Sequence, residues 1–488
     1  MFFSLAWNFS VIISQKTVAL SKTALRKILV SLASKNYSEE TQMALNFHLF
    51  TEMHLCYWFD YDSILKTSGD IVLDSSIRDI LNANNFLVGS VAVTPTRVVY
   101  YPVMPVKMNR LFRKFSDYEF VIVNFRDENL RKLQGEKSFD FVNIVLNNGL
   151  ELNRKVYYFF CASASEQRIH RALFIDCNSI EEATKLRSQI ILNQHEFDSV
   201  PQYLSRLSLF CSADTPTFDI LPEKWAFVED VYAENGDCLT EGAGLIRFSL
   251  ACRIADLLQC SDIPSAYQIR ISGVKGVLLA VDDAFFNKVA GIDKDILVRK
   301  SMKRFESDDY NLGVVSYSRF LPATLNREII TLLESIHSDV VEELHVLHER
   351  VLSRNIEMLI DPRLAARKLE TRQISWKVKQ VQQYFDLLNE PFWLRVLKKL
   401  FEVDTTDIVK KTKIPLKDAA LVLGVSDPFH ILGQEEVFLQ IQRDEDENSS
   451  VVDGLVSLVV IPTLSIAGVQ FCLCILHHQN VTQPNVTF

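Results

Sequence analysis

A long helical block between two strand-rich regions is the feature that most limits the fold of this chain. Between residues 324 and 405, apolar side chains recur at helical spacing, and Glu and His occupy the opposite face. The stretch 239–320 instead contains short apolar segments separated by Gly, and strand-like segments return after residue 410. Among the strands that the sequence predicts are 120–125, 436–441 and 451–460. Such turn-rich β packing favours a barrel over a doubly wound sheet. We therefore predict an α+β protein in which a helical connector joins two strand-rich parts.

Composition places the chain among globular proteins of more than one domain. Its 488 residues are 48% hydrophobic and 23% charged, which excludes a disordered or collagen-like polypeptide. The nine cysteines are scattered, without any C-x-x-C pair. This usage predicts a reducing, intracellular location, in the cytoplasm or the nucleus.

The charge is acidic overall but basic in places. The net charge of −9 excludes a globally basic nucleic-acid-binding coat. Residues 97–132 nevertheless carry eight lysines and arginines against four carboxylates, a local charge of +4. Within this stretch, Arg97, Arg110 and Arg113 are the weaker candidates for contact with nucleic acid.

The strongest candidate site lies in the sequence PSAYQIRISGVKG at 264–276. Arg270 and Lys275 flank a Gly-containing turn between two predicted strands, and two cations beside exposed backbone N–H groups suit phosphate oxygens. An ordinary hairpin with solvated charges is the alternative. Arg299, Lys300 and Lys303 lie in a second basic run, which is either a phosphate-contact patch or a solvated edge strand.

The segment 454–476 carries no charge over 23 residues. Three interpretations stay open: buried strands of a barrel, a membrane span, or a non-native tail. Its β-rich composition and Pro462 favour the strands.

Several motifs, in one collinear order over roughly 90–465, resemble those of the cellular RNA-dependent RNA polymerases of gene silencing. The family's P-S-A-(F/Y)-Q-I-R-x-G-G-x-K-G run is matched at 264–276, with Ser272 in place of the first glycine. Further matches are VTPTR at 93–97, NRLFR at 109–113, FRDEN at 125–129, TEGAGLI at 240–246, RKSMKRF at 299–305, ATLNREIITLLE at 323–334, EPFWLR at 390–395, KIP at 413–415, LGVSD at 423–427 and VFLQ at 437–440.

The resemblance implies a polymerase core of two double-psi β-barrels, the first complete and the second truncated. It implies this domain order: an N-terminal helical or irregular region at 1–85, a mixed β/α domain at 86–200, the first barrel at 201–322, the helical connector at 323–408, the start of the second barrel at 409–470, and an atypical tail at 471–488. It implies synthesis of complementary RNA from an RNA template, leading to small interfering RNA. The implied partners are RNA, nucleoside triphosphates and proteins of the silencing pathway, with no membrane.

The resemblance also implies Mg²⁺ held by a D-x-D-G-D motif in the second barrel, and this motif is absent from the printed sequence. The acidic loop at Asp444 and Asp446 lacks the following glycine. We therefore assign no catalytic residue and no metal ligand, and expect a chain that stops before the catalytic motif. The alternatives are a catalytically inactive RNA-binding or scaffold relative, and an unrelated intracellular protein with a tail anchor.

We expect residues 1–488 alone not to extend RNA with Mg²⁺ or Mn²⁺, because metal-assisted phosphoryl transfer requires clustered carboxylates. The measurement is incorporation of labelled nucleotide on an RNA template. Incorporation that survives Asp444→Asn together with Asp446→Asn would show that another set of carboxylates performs the chemistry.

Overall fold

The structure, a computed structural model, describes Trp7 and residues 85–135, 139–193, 197–234, 236–336, 339–369, 387–429, 431–433, 436–442, 450–459 and 469–474. The predicted N-terminal region at 1–85 and the acidic loop at 444–446 lie almost wholly outside these residues. The chain forms two compact units, one of residues 1–259 with 267–317 and the other of 260–266 with 318–488. Each is described by itself.

The first unit begins with a six-stranded sheet. Its strands are β1 (Asn85–Val93), β2 (Val98–Lys107), β3 (Phe120–Phe125), β4 (Leu150–Leu152), β5 (Lys155–Cys161) and β6 (Arg171–Asp176). They lie in the order β2-β1-β3-β6-β5-β4, and all neighbours are antiparallel except β1 and β3. The helices of this part are α1 (Arg110–Lys114), α2 (Asp140–Asn148), α3 (Ala164–Arg168), α4 (Ile180–Ser188) and α5 (Val200–Phe210).

Apolar clusters cover both faces of this sheet, which is why its central strands read as nearly continuous hydrophobic runs. In β3, for example, five of six residues are buried. Leu207 and Phe210 of α5 pack in the same core as Phe112 of α1. Helix α5 therefore packs with the first sheet, although the predicted boundary at residue 201 places it in the following domain.

A seven-stranded mixed sheet completes the first unit. Its strands are β7 (Thr215–Asp219), β8 (Trp225–Val228), β9 (Ala243–Arg247), β10 (Ala266–Ile271), β11 (Val274–Val281), β12 (Ile296–Arg299) and β13 (Asn311–Tyr317), in the order β7-β13-β10-β11-β9-β12-β8. Helices α6 (Phe248–Leu257) and α7 (Asp283–Ala290) accompany it. Tyr267 is fully buried in the core, and its hydroxyl donates to the carbonyl of Ala251 at 3.1 Å.

The second unit contains the predicted helical block. Its helices are α8 (Arg327–Ile336), α9 (Val340–Glu357), α10 (Pro362–Leu369) and α11 (Pro391–Lys411). Its strands are β14 (Pro322–Thr324), β15 (Pro415–Ala420), β16 (Glu436–Val437), β17 (Gln440–Ile441), β18 (Ser450–Val451), β19 (Gly454–Val459) and β20 (Val469–Cys474). The single strands predicted at 436–441 and 451–460 are wrong in detail, because each is divided between two separate sheets.

The uncharged C-terminal segment contains β19 and β20, which pair in antiparallel register. This agrees with the strand interpretation of 454–476. Among the residues described, no helix combines the length and the apolar character needed to cross a bilayer.

Arg110 joins the two sheets of the first unit. Its Nε donates to Asp214 Oδ2 at 2.8 Å, its Nη1 to Asp309 Oδ2 at 3.0 Å, and its Nη2 to the carbonyl oxygens of Arg270 and Asn311. The residue is only 4% exposed. Every guanidinium nitrogen of Arg110 has a protein partner, so the side chain ties these segments together, and its contact with RNA stays a prediction.

We expect Arg110→Ala to reduce the free energy of unfolding by about 3–5 kcal/mol, because the substitution leaves the buried Asp214 carboxylate without its main counter-ion. Urea unfolding followed by circular dichroism measures the change. Lys107→Ala, at an exposed position on β2, is the matched control and should be nearly neutral. Equal small losses in both variants would contradict a structural role for Arg110.

Candidate phosphate-binding site

A tight hairpin turn connects β10 and β11. Ser272 has φ 44° and Gly273 has φ 78°, so both turn residues occupy the left-handed region, as a two-residue type I′ turn requires. A Cβ at Gly273 would lie 2.0 Å from the carbonyl oxygen of Phe305, so only glycine fits. Ser272 stands where the family pattern has glycine, and two hydrogen bonds hold it in place. Its N–H donates to Asp309 O at 2.8 Å, and its hydroxyl donates to Ser307 O.

Three of the sequence motifs converge on this hairpin. Gly276 of β11 packs so closely on the loop before β9 that a Cβ would lie 2.4 Å from Gly242 O. The N–H of Val277 donates to the same oxygen at 2.8 Å. From the basic run at 299–305, the Arg304 N–H donates to Gly273 O at 3.0 Å. Backbone contacts thus bring the motifs at 240–246, 264–276 and 299–305 into one place.

Asp230 holds two of these segments together. Its carboxylate accepts from the Ser301 N–H at 2.9 Å, from the Ser301 hydroxyl at 2.6 Å and from the Thr240 hydroxyl at 3.2 Å. Burial raises the pKa of this carboxyl, but hydrogen bonds led by those from Ser301 outweigh it, so the pKa is lowered. Sequence reasoning missed Asp230, because an isolated Asp in a loop carries no motif signal.

Four cations lie near one another beside the hairpin: Arg206, Arg270, Lys275 and Arg304. Burial, followed by the charge of Arg110, lowers the pKa of Arg270 to about 10, while Asp214 acts in the opposite direction. Burial also lowers the pKa of the Lys275 ammonium, and the charges of Arg270, Arg304 and Arg206 add to this effect. These four residues are called the hairpin cations below.

The hairpin cations lack carboxylate partners. Across the described ranges, none of the four forms an ion pair, and the Nε atoms of Arg206 and Arg270 are buried without a hydrogen-bond acceptor. A cavity of about 10 Å³, lined by Arg110, Arg270 and Lys275 among others, has room for one water-sized atom. Arg270 and Lys275, which form no ion pair in this part of the chain, suit an oxygen atom of a larger anion placed in this space. The remainder of that anion would lie outside the cavity.

The other predicted phosphate contacts have protein partners. Arg299 donates to Glu229 O at 2.5 Å, Lys300 forms an exposed ion pair with the Glu229 side chain, and Lys303 pairs with Glu306 at 2.7 Å. The hydrogen bond and charge of Glu229 raise the pKa of Lys300. The roles of Arg299, Lys300 and Lys303 stay predictions.

The remaining RNA-binding candidates, Arg97 and Arg113, each have a carboxylate partner. Arg97 is 43% exposed and pairs with Glu128 at 3.8 Å, while Arg113 shares the Asp214 carboxylate with Arg110.

Arg206 was not predicted, because one arginine in an amphipathic helix gives no signal. Arg304 lies in the predicted basic run but was not among the selected residues.

The described residues do not fit the Mg²⁺ that the resemblance implies. Within those ranges, no three His, Cys, Asp or Glu side chains are grouped so that they could hold a metal ion. Asp282 caps helix α7, and Asp308 and Asp309 pair with Lys114 and Arg110. No step is therefore assigned to a metal here.

The hairpin cations form a candidate phosphate-binding site beside a mixed β-sheet. Comparisons with known proteins identify the family of the chain. The family profile described as RNA dependent RNA polymerase matches residues 93–483. The chain therefore belongs to the RNA-dependent RNA polymerase family. The match continues past residue 465, where the resemblance drawn from the motifs stops.

The relatives are polymerases of plants and yeast. The chain is 27% identical over 385 residues to "Probable RNA-dependent RNA polymerase 2" of Oryza sativa, covering 73% of the chain and 33% of that protein. It is 24% identical to "RNA-dependent RNA polymerase 2" of Arabidopsis thaliana, over 88% of the chain and 41% of that protein. It is 25% identical to "RNA-dependent RNA polymerase 1" of Schizosaccharomyces pombe, over 80% of the chain and 34% of that protein. The chain thus spans about a third to two-fifths of the length of these relatives.

A solved structure agrees on the fold. The RNA dependent RNA polymerase QDE-1 from Thielavia terrestris superposes with a TM-score of 0.65 at 17% identity, covering 97% of this chain and 57% of that one. The predicted α+β class with a double-psi β-barrel polymerase core is confirmed by this similarity.

We expect Lys275→Ala to raise the melting temperature at neutral pH, because it removes a partly buried charge repelled by neighbouring cations. The pKa of Lys275 is lowered in the folded state, so the unfolded chain binds more protons over the interval between that value and 10.5. The increase in melting temperature caused by the substitution should therefore become smaller as the pH rises through this interval. Melting curves of both proteins across alkaline pH test this, and a lower melting temperature for the variant would show that Lys275 is a paired, stabilising residue.

Proposed function

We propose that this chain provides the phosphate-binding part of an RNA-directed RNA polymerase of the gene-silencing type, which copies RNA from an RNA template. The observation that carries the proposal is the group of hairpin cations, none of which forms an ion pair within the described residues. Three of them, Arg270, Lys275 and Arg304, belong to the family motifs at 264–276 and 299–305, which meet at one turn. Phosphate oxygens of a nucleoside triphosphate or of RNA would supply the missing negative charge.

The rigidity of the hairpin would make these contacts specific. Arg270 projects from a strand whose backbone carbonyl is held by Arg110, and Lys275 follows a turn that only glycine can complete. Side chains held in this way lose less conformational freedom on binding than side chains of a mobile loop. The residues would thus orient a phosphate group and balance its charge, which is the protein's main contribution in phosphoryl transfer.

The finer parts of the function are also proposals. RNA and nucleoside triphosphates are the ligands that the family implies, Mg²⁺ would have to be held by residues other than those described, and silencing-pathway proteins are the expected partners. We place the protein in the cytoplasm or the nucleus. Cys161, Cys177, Cys211, Cys238 and Cys252 form no disulfide bond within the described residues, which supports a reducing compartment.

We expect Lys275→Ala to weaken binding of GTP or of single-stranded RNA by about 1–3 kcal/mol, the range of a charge-assisted hydrogen bond. Fluorescence anisotropy with a labelled GTP analogue and a labelled oligonucleotide measures the change. Lys288→Ala, an exposed lysine on α7 in the same unit, is the matched control and should bind like the unmodified chain.

Unchanged affinity in the Lys275 variant, with folding intact, would mean that the hairpin cations do not bind phosphate, and the proposal would fall.

A further inference from the structure

A second basic site lies in the other compact unit, where the start of α8 meets the end of α11. A cavity of about 440 Å³ opens here, lined by the cations Arg327, Lys410, Lys411 and Lys413 and by one carboxylate, Glu328. A volume of this size is within the range of pockets that hold small ligands. Most such pockets are apolar, whereas four cations make this one suited to a polyanion.

Two motifs that the hairpin site does not use form this cavity. Residues 323–334 contribute the LNR sequence, and 413–415 contribute KIP. Their backbones are paired, because Thr324 lies opposite Pro415 and the N–H of Leu325 donates to Ile414 O at 2.8 Å. Arg327 is fixed by a hydrogen bond from its Nη2 to Lys410 O at 3.1 Å. The fold thus brings cations from two separate motifs to one surface.

The positive charge is only partly compensated. Asp407 pairs with Lys411 at 2.7 Å and more weakly with Lys413 at 3.7 Å. The hydrogen bond from Lys411 heads the causes that lower the pKa of Asp407, so this carboxylate is ionised and already committed to these lysines. In the described part of the chain, neither Arg327 nor Lys410 pairs with a carboxylate. The cavity therefore keeps a net positive charge.

Helix stability does not explain the arrangement. Lysines in the last turn of α11 would favour that helix through its dipole, which accounts for Lys410 and Lys411. The same effect disfavours Arg327, which is the first residue of α8, at the positive end of its dipole. Lys413 lies beyond the end of α11 altogether. An anion between the two helix ends would be favoured by all four cations.

We propose that this cavity binds a backbone phosphate of single-stranded RNA, at a site separate from the hairpin cations. The inference rests on the proposed function in taking RNA as the ligand. Side chains of Lys411 and Lys413 are 60% and 49% exposed, so the site is open and suits a passing strand better than an enclosed small anion. Phosphate contacts of this kind hold a strand in register without reading its sequence.

The test uses the full chain, with Lys410→Ala combined with Lys413→Ala. Lys398→Ala with Lys399→Ala removes the same amount of charge from α11, away from the cavity, and is the matched control. Binding of a fluorescein-labelled oligouridylate is followed by anisotropy over a salt series, and binding of a labelled GTP analogue is measured in parallel. Melting curves verify folding, and the single variant Lys410→Glu provides a second, less invasive change.

We expect the cavity variant to bind RNA about tenfold more weakly, with the salt slope reduced by about 0.7 for each lysine that had neutralised a phosphate. GTP binding should stay unchanged, and Lys410→Glu should weaken RNA binding in the same direction. Equal effects in the control pair, or unchanged RNA affinity, would overturn the site. Weakened GTP binding with unchanged RNA affinity would reassign it to a triphosphate.

The two proposals can fail independently. If Lys275→Ala binds RNA and GTP normally while the cavity variant loses RNA affinity, the hairpin proposal falls and the cavity stands. The opposite pattern removes the cavity alone.

Discussion

The buried ion pair between Arg110 and Asp214 is the interaction on which the first unit depends. The guanidinium binds four residues in three segments at once, through Asp214, Asp309 and the carbonyls of Arg270 and Asn311. Separating the segments would leave a buried charge unpaired, which is unfavourable in free energy, so the ion pair holds them together. Gly313 shows how closely they pack, since a Cβ there would lie 1.9 Å from Asp214 Oδ2. Because Arg110 also holds the carbonyl of Arg270, the same pair fixes the strand that carries the candidate site.

Local features of the fold were predictable because their causes are local. The strand at Phe120–Phe125 was predicted to its ends, since a short β-branched and aromatic run is sufficient to define it. The turn between Arg270 and Lys275 followed from its glycine, and the structure adds that Ser272 also adopts a positive φ. The family, and with it the barrel fold, came from the order of the motifs and not from any one of them.

The pairing of distant charges was not predictable, because it is decided by tertiary structure. Arg110 looked like an exposed cation in a basic stretch, yet its partners lie at 214 and 309. Lys300 and Lys303 looked equivalent to Lys275 in the sequence. In the structure, Lys300 pairs with Glu229 and Lys303 with Glu306, whereas Lys275 forms no ion pair within the described residues. Arg206 gave no signal, since its neighbours among the cations come from other parts of the sequence. Charge counts along a sequence therefore locate a basic region, while the fold determines which charges stay available.

Within the described residues the hairpin cations form no ion pair with a carboxylate, which makes the stability of the first unit dependent on the ligands that it binds. A ligand that binds only the folded chain adds RT ln(1 + [L]/Kd) to its stability, so a phosphate-bearing ligand would complete the charge balance of the fold. The chain would then be most resistant to unfolding and proteolysis when nucleotide is abundant. The lifetime of the chain would therefore depend on the concentration of phosphate-bearing ligands.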